Sequence, residues 1–134
     1  MIQLLTLALC LSFVAASAQQ GSAMDYTASS STVSLNGQVI AITSVLTKSG
    51  DTFTWTQNNT GTPLMLSFSI TESSGNWDES TSLGVMTYSL YRDGETVSMT
   101  LVGDSTGLLL TMAPKDFESP DQQYIFNIAT ISYQ

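Results

Sequence analysis

The side chains of this chain that could do chemistry are carboxylates, hydroxyls and aromatic rings. There are 11 acidic residues, no histidine, and a single cysteine, Cys10. Without an imidazole the ordinary general base near neutral pH is missing, and so is the Ser-His-Asp triad. One early cysteine supplies neither a disulfide nor a thiolate cage for zinc. Paired carboxylates remain, but glycoside cleavage needs two of them on opposite sides of one bond. Asp78 beside Glu79, and Asp93 near Glu95, are near neighbours of the kind that 11 dispersed acids produce by chance. Calcium could be held by oxygen ligands at Asp51, at Asp93-Gly94-Glu95 or at Asp104 to Gly107. None of these has the ordered ligand spacing of an EF-hand loop, and Asp in a turn ordinarily caps its own backbone. The expectation is a protein that is not an enzyme, with no catalytic residue, no metal site and no cofactor.

Binding chemistry is better represented. Trp77 stands in Gly75-Asn76-Trp77-Asp78-Glu79, in the middle of the most polar stretch of the chain, Glu72 to Gly84. Read as a loop, this places an indole beside an amide and two carboxylates, a set that could stack on a sugar ring and bond its hydroxyls. Asn76, Trp77, Asp78 and Glu79 are therefore candidate ligand-binding residues, with a glycan as the possible ligand. The competing reading folds Trp77 back over one end of the core. A second candidate is the last strand, where Tyr124, Phe126, Ile128, Ile131 and Tyr133 form an apolar, uncharged run. At a sheet edge it could pair with a second copy or another protein, and the polar arm 19–31 could serve as the exchanged partner. Otherwise it is an interior strand that closes the fold. Asn58-Asn59-Thr60 is a glycosylation sequon at Asn58, meaningful in a eukaryotic host.

Residues 1–18 read as a signal peptide. The run is apolar through Val14 and ends in Ala16-Ser17-Ala18, a small-residue cleavage site. It is short for a bilayer span and polar residues follow at once, so no transmembrane segment is expected after its removal. The expected location is secreted, periplasmic or at the cell surface. Leu9 before Cys10 argues against a lipid-modified cysteine. Against 11 acids stand Lys48, Arg92 and Lys115, a formal charge of −8. Nucleic acid is thereby a poor partner, since phosphate neutralisation needs a basic patch.

The elements that must position these residues are strands. Asn36-Gly37 and Asp93-Gly94 are hairpin signals, because both residues of each pair tolerate positive φ. Thr52 to Gln57 alternates, with Phe53 and Trp55 on one face. Leu64, Leu66, Phe68 and Ile70 repeat the pattern, as do Val97, Met99 and Leu101. Residues 123–133 carry bulky groups on both parities, which predicts packing on two sides or a bulge. No helical periodicity follows the leader. The expected fold is all-β: one domain over 32–134, an antiparallel β-sandwich of seven or eight strands, immunoglobulin-like by strand count, preceded by a flexible segment 19–31. A small β-barrel is the alternative.

The composition therefore points to an exported, non-enzymatic structural, adhesive or binding domain. It would assemble through edge strands with itself or a protein partner, or bind a glycan. An extracellular or periplasmic assembly factor of chaperone type and a carrier of apolar ligands are the alternatives. The carrier would need a barrel with an inward-facing cavity.

Overall fold

A computed structural model describes residues 24–58, 61–114 and 123–134. Residues 1–23, which include the segment expected to be a signal peptide, residues 115–122 and the last two positions of the Asn58 sequon lie outside the described residues. Eleven strands account for most of the rest: β1 (Tyr26–Ser30), β2 (Val33–Leu35), β3 (Gln38–Ile40), β4 (Thr43–Ser49), β5 (Thr52–Asn58), β6 (Leu64–Asp78), β7 (Leu83–Arg92), β8 (Glu95–Asp104), β9 (Gly107–Pro114), β10 (Tyr124–Ile128) and β11 (Thr130–Tyr133). No helix occurs among the described residues, and so none that is long and apolar enough to cross a membrane.

All the pairings are antiparallel and belong to one sheet, in the order β11-β1-β4-β5-β6-β7-β8-β9-β10-β2-β3. The two hairpin signals form as expected. Asn36 and Gly37 (φ 55° and 72°) join β2 to β3, and Asp93 and Gly94 (φ 49° and 84°) join β7 to β8. Alternation of apolar and polar residues sets each register, because a slip of one residue would expose the whole apolar set. In β5, Phe53 and Trp55 are buried; in β8, so are Met99 and Leu101.

The two ends of the chain share one ladder. Tyr26 pairs with Tyr133 and Ser29 with Thr130, while further along Ser34 pairs with Ile125 in the same register. Residues 26–35 and 124–133 thus run alongside each other, with a break at Ala129, whose N–H donates to the Ser29 carbonyl at 2.8 Å. On its other edge β10 is bonded to β9, through Phe126 opposite Leu110. A sheet whose last segment bonds both to its first and to its penultimate segment must curl back on itself, with the buried face on the inside. Contacts across that inner face agree. Trp55 on β5 meets Phe126 and Tyr124 on β10 edge-on, with ring centroids 5.0 and 5.4 Å apart, each such pair adding about 0.5–1.5 kcal/mol beyond area burial.

One expectation is not confirmed and two are corrected. The two-sheet sandwich and its immunoglobulin-like form are not borne out, since every strand belongs to one sheet. The segment expected to be flexible up to Ser31 is ordered strand from Tyr26, held between β4 and β11, and Met24 and Tyr26 are core residues. Its period-two burial, with Tyr26, Ala28 and Ser30 inward, contains only one large side chain and so carries little hydrophobic signal. The stretch read as a loop from Glu72 is strand as far as Asp78. β6 is 15 residues long: its first part, Leu64 to Ser69, bonds to β5, and Ser69 to Asp78 bonds to β7 across a register shift between Ile70 and Glu72. Such stagger accompanies strand tilt in a curled sheet.

Candidate functional site

The curled sheet has two ends. The first gathers the start of β1, the end of β11, the β4–β5 turn and the turn 79–82; the second gathers the Asn36 and Asp93 turns and the start of β6.

Trp77 belongs to the first end, and it is 9% exposed. Its Nε1–H donates to Tyr133 Oη at 2.8 Å, and the Ser82 hydroxyl lies 2.7 Å from the same oxygen. The indole edge lies against Gly103: a Cβ there would come within 2.8 Å of Trp77 Cη2 and would collide with the Ser82 carbonyl. Gly103 is thus a close-approach glycine, where the turn 79–82 packs directly on β8. Asn76, Asp78 and Glu79 are exposed around this buried indole. The Asp78 carboxylate accepts from Ser80 N–H at 2.9 Å and Ser80 Oγ–H at 2.6 Å, which together hold its pKa below the usual value. The four candidate ligand residues are therefore neighbours in sequence but not a platform. Trp77 points inward as a plug, and Asp78 caps its own turn.

The second sequence candidate is engaged on both sides at β10 and, among the described residues, on one side at β11. Tyr124, Phe126 and Ile128 lie on β10, between β9 and β2; Ile131 and Tyr133 lie on β11, bonded to β1. The N-terminal arm does pair with the last strand, from Tyr26 onward, but within one chain.

A buried polar cluster sits beside the Trp77 plug. Lys48 is 1% exposed and its Nζ donates to Asp25 Oδ1 at 3.0 Å; Gly50 N–H donates to the same oxygen at 2.9 Å. The Lys48 bond first, and the Gly50 bond second, hold the Asp25 carboxyl below its usual pKa. Tyr26 stands opposite Lys48 across β1 and β4, and its hydroxyl, like that of Tyr88, is fully buried without a hydrogen-bond partner of good geometry. Burial above all, then the neighbouring Tyr88, pushes Tyr26 well above the usual phenol range; burial also raises Tyr88. Sequence reasoning missed this cluster. The available signal was parity, which puts Lys48 on the same face of β4 as the fully buried Leu46.

Among the described residues the second end is apolar. Ser44, Gln57 and Leu64 form one cross-strand row on the inner face, next to the row of Leu46, Trp55 and Leu66. Trp55 Nε1–H donates to Ser44 Oγ at 3.1 Å, which turns the indole toward this end and across to Tyr124 and Phe126. Above that aromatic floor stand Val33 and its partner Ile40, with Ile42 beside them. Leu64 is 54% exposed and Ile40 42%, although both lie on the inner face. Leu64 and Ile40 thus stand exposed at the rim, over a buried layer of Trp55, Phe126 and Ser44, with Gln57 the partly exposed polar side chain of the row. Among the described residues, no group of three or more acidic, cysteine or histidine side chains is placed to hold a metal ion.

The chain matches no protein-family model, no curated protein and no solved structure. Its function has to be read from this geometry.

Proposed function

We propose that the protein is a non-enzymatic binding domain, a small β-barrel of eight curled segments that takes a small apolar molecule in a cup above Trp55. The observation that carries this reading is the exposure of inward-facing Leu64 and Ile40 over the Trp55–Phe126–Tyr124 floor, at the end of the sheet opposite the Trp77–Tyr133 plug. Barrels of this strand number have interiors that side chains nearly fill or that hold one small ligand. Binding sites of this kind are concave and mostly apolar, with a few polar groups to orient the guest; the partly exposed Gln57 supplies one here. The leader at 1–18 motivates an exported setting, periplasmic or extracellular. A net charge of −8 keeps such a carrier dispersed.

Titration with 1-anilinonaphthalene-8-sulfonate, an apolar fluorescent probe, tests the reading. Saturable enhancement by the folded protein is expected, lost in Leu64→Glu and in Ile40→Glu while the far-ultraviolet spectrum stays unchanged. No enhancement, or enhancement that survives both substitutions, rules out the cup as the site.

A further inference from the structure

Curling pairs β10 on both sides, but among the described residues β11 keeps one edge unpaired, and so does the far half of β6. On its β5 side, the last backbone bond of β6 is Ile70 N–H to the Asp51 carbonyl at 2.7 Å. Beyond it, Glu72 to Asp78 bonds to β7 alone among the described residues. The backbone there is accessible, since Thr71, Glu72, Ser74, Gly75 and Asn76 are all exposed. On the other side of this stretch, over its pairing with β7, lies a groove of about 310 Å³ lined by Glu72, Ser73, Ser74, Thr87 and Ser89. Unpaired strand edges are templates for an added strand.

Charge says which strand. Asp51 stands at one end of the edge, Glu72 in the groove, and Asp78 and Glu79 at the other end. Of the described cations, Lys48 is turned inward onto Asp25, and Arg92 lies over Phe68 and pairs with Asp93. We propose that the edge Thr71–Asp78 accepts an extended basic segment of another protein as an added antiparallel strand, its backbone bonding to β6 and its lysine or arginine side chains facing Glu72 and the flanking acids. This surface is independent of the apolar cup.

The probe is a capped peptide, acetyl-Thr-Lys-Val-Lys-Thr-Lys-Val-Thr-amide, with a twin carrying Glu in place of Lys. Amide hydrogen exchange of the full chain is the readout. The Lys peptide should slow exchange across residues 71–76 without changing residues 124–133, and the Glu twin should not. Glu72→Lys, an exposed substitution that leaves the fold intact, should weaken the Lys peptide about fivefold, the scale of one or two exposed charge pairs lost or reversed. The proposal is overturned by equal protection from both peptides, by no protection from either, or by an edge already protected in the free protein. Because the readout is the β6 backbone, a dye-binding failure at the cup would leave this result standing, and the reverse.

Discussion

Trp77 Nε1–H donates to Tyr133 Oη at 2.8 Å, so the far half of β6 is tied to the last strand across the inner face. Ser82 holds the same phenol from the turn between β6 and β7. Tyr133→Phe removes the acceptor and leaves a largely buried indole N–H without its partner. The expected loss is about 1–3 kcal/mol, read as a lower midpoint in urea. Trp77→Ala should cost more, about 3–5 kcal/mol, because it also opens a cavity.

Gly103 makes room for this plug. Gly103→Ala should displace the turn 79–82 and the indole together, since a methyl group would meet the Ser82 carbonyl and Trp77 Cη2. The expected signature is red-shifted Trp77 emission with reduced thermal stability. Unchanged emission would mean that the packing is looser than described.

The Asp25–Lys48 pair should show the asymmetry of buried ions. Asp25→Ala leaves the Lys48 ammonium buried beside Tyr26, with an expected cost of about 2 kcal/mol, below the range for fully buried pairs because Asp25 is one-third exposed. Adding Lys48→Met should recover part of that loss, since replacing both ions by apolar groups is tolerated better than breaking the pair. Chemical denaturation of the single and double variants measures both effects.

Acid should weaken the fold through the same pair. The folded Asp25 pKa is depressed, so its contribution is present above the unfolded value, about 3.9, and is lost as pH falls through the lower folded value. The melting temperature should therefore fall below about pH 4, and Asp25→Asn should flatten that slope. An identical slope in the variant would remove Asp25 from the explanation.

Alkali should act on the buried phenols. Tyr26 and Tyr88 are raised, so the stability they contribute is present below the unfolded value, about 10, and is lost as pH rises through the folded values. Absorbance titration should show both ionising only together with unfolding. Tyr26→Phe, which deletes one of two neighbouring buried hydroxyls that lack a partner of good geometry, should be neutral or slightly stabilising.

Much of the strand plan was legible in the residues. The Asn36-Gly37 and Asp93-Gly94 turns, the inward Phe53 and Trp55, and the break in the last strand all follow from local chemistry. Curling does not, because it depends on residues 26–35 meeting residues 124–133, a pairing over about a hundred positions that no local pattern records. The same long-range pairing hid β1, whose mostly small side chains look like a linker until β4 and β11 bury them. It also concealed the role of Trp77. A polar sequence around an indole resembles a binding loop, and only the register of β6 against β7 turns it inward to Tyr133. The exposure of Leu64 was hidden for a related reason, since by alternation it reads simply as core-facing, and only its place at the end of the sheet leaves it 54% exposed.

The two tryptophans report the two ends separately, and they offer the most direct test of the apolar cup. Nitrogen-15 labelled protein is titrated with 1-octanol while the two indole N–H resonances are followed. Trp55, bonded to Ser44 beneath the cup, should shift progressively and saturate; Trp77, bonded to Tyr133 at the plugged end, should stay in place. A shift of Trp77 with Trp55 unmoved, or no shift of either, would contradict binding above Trp55.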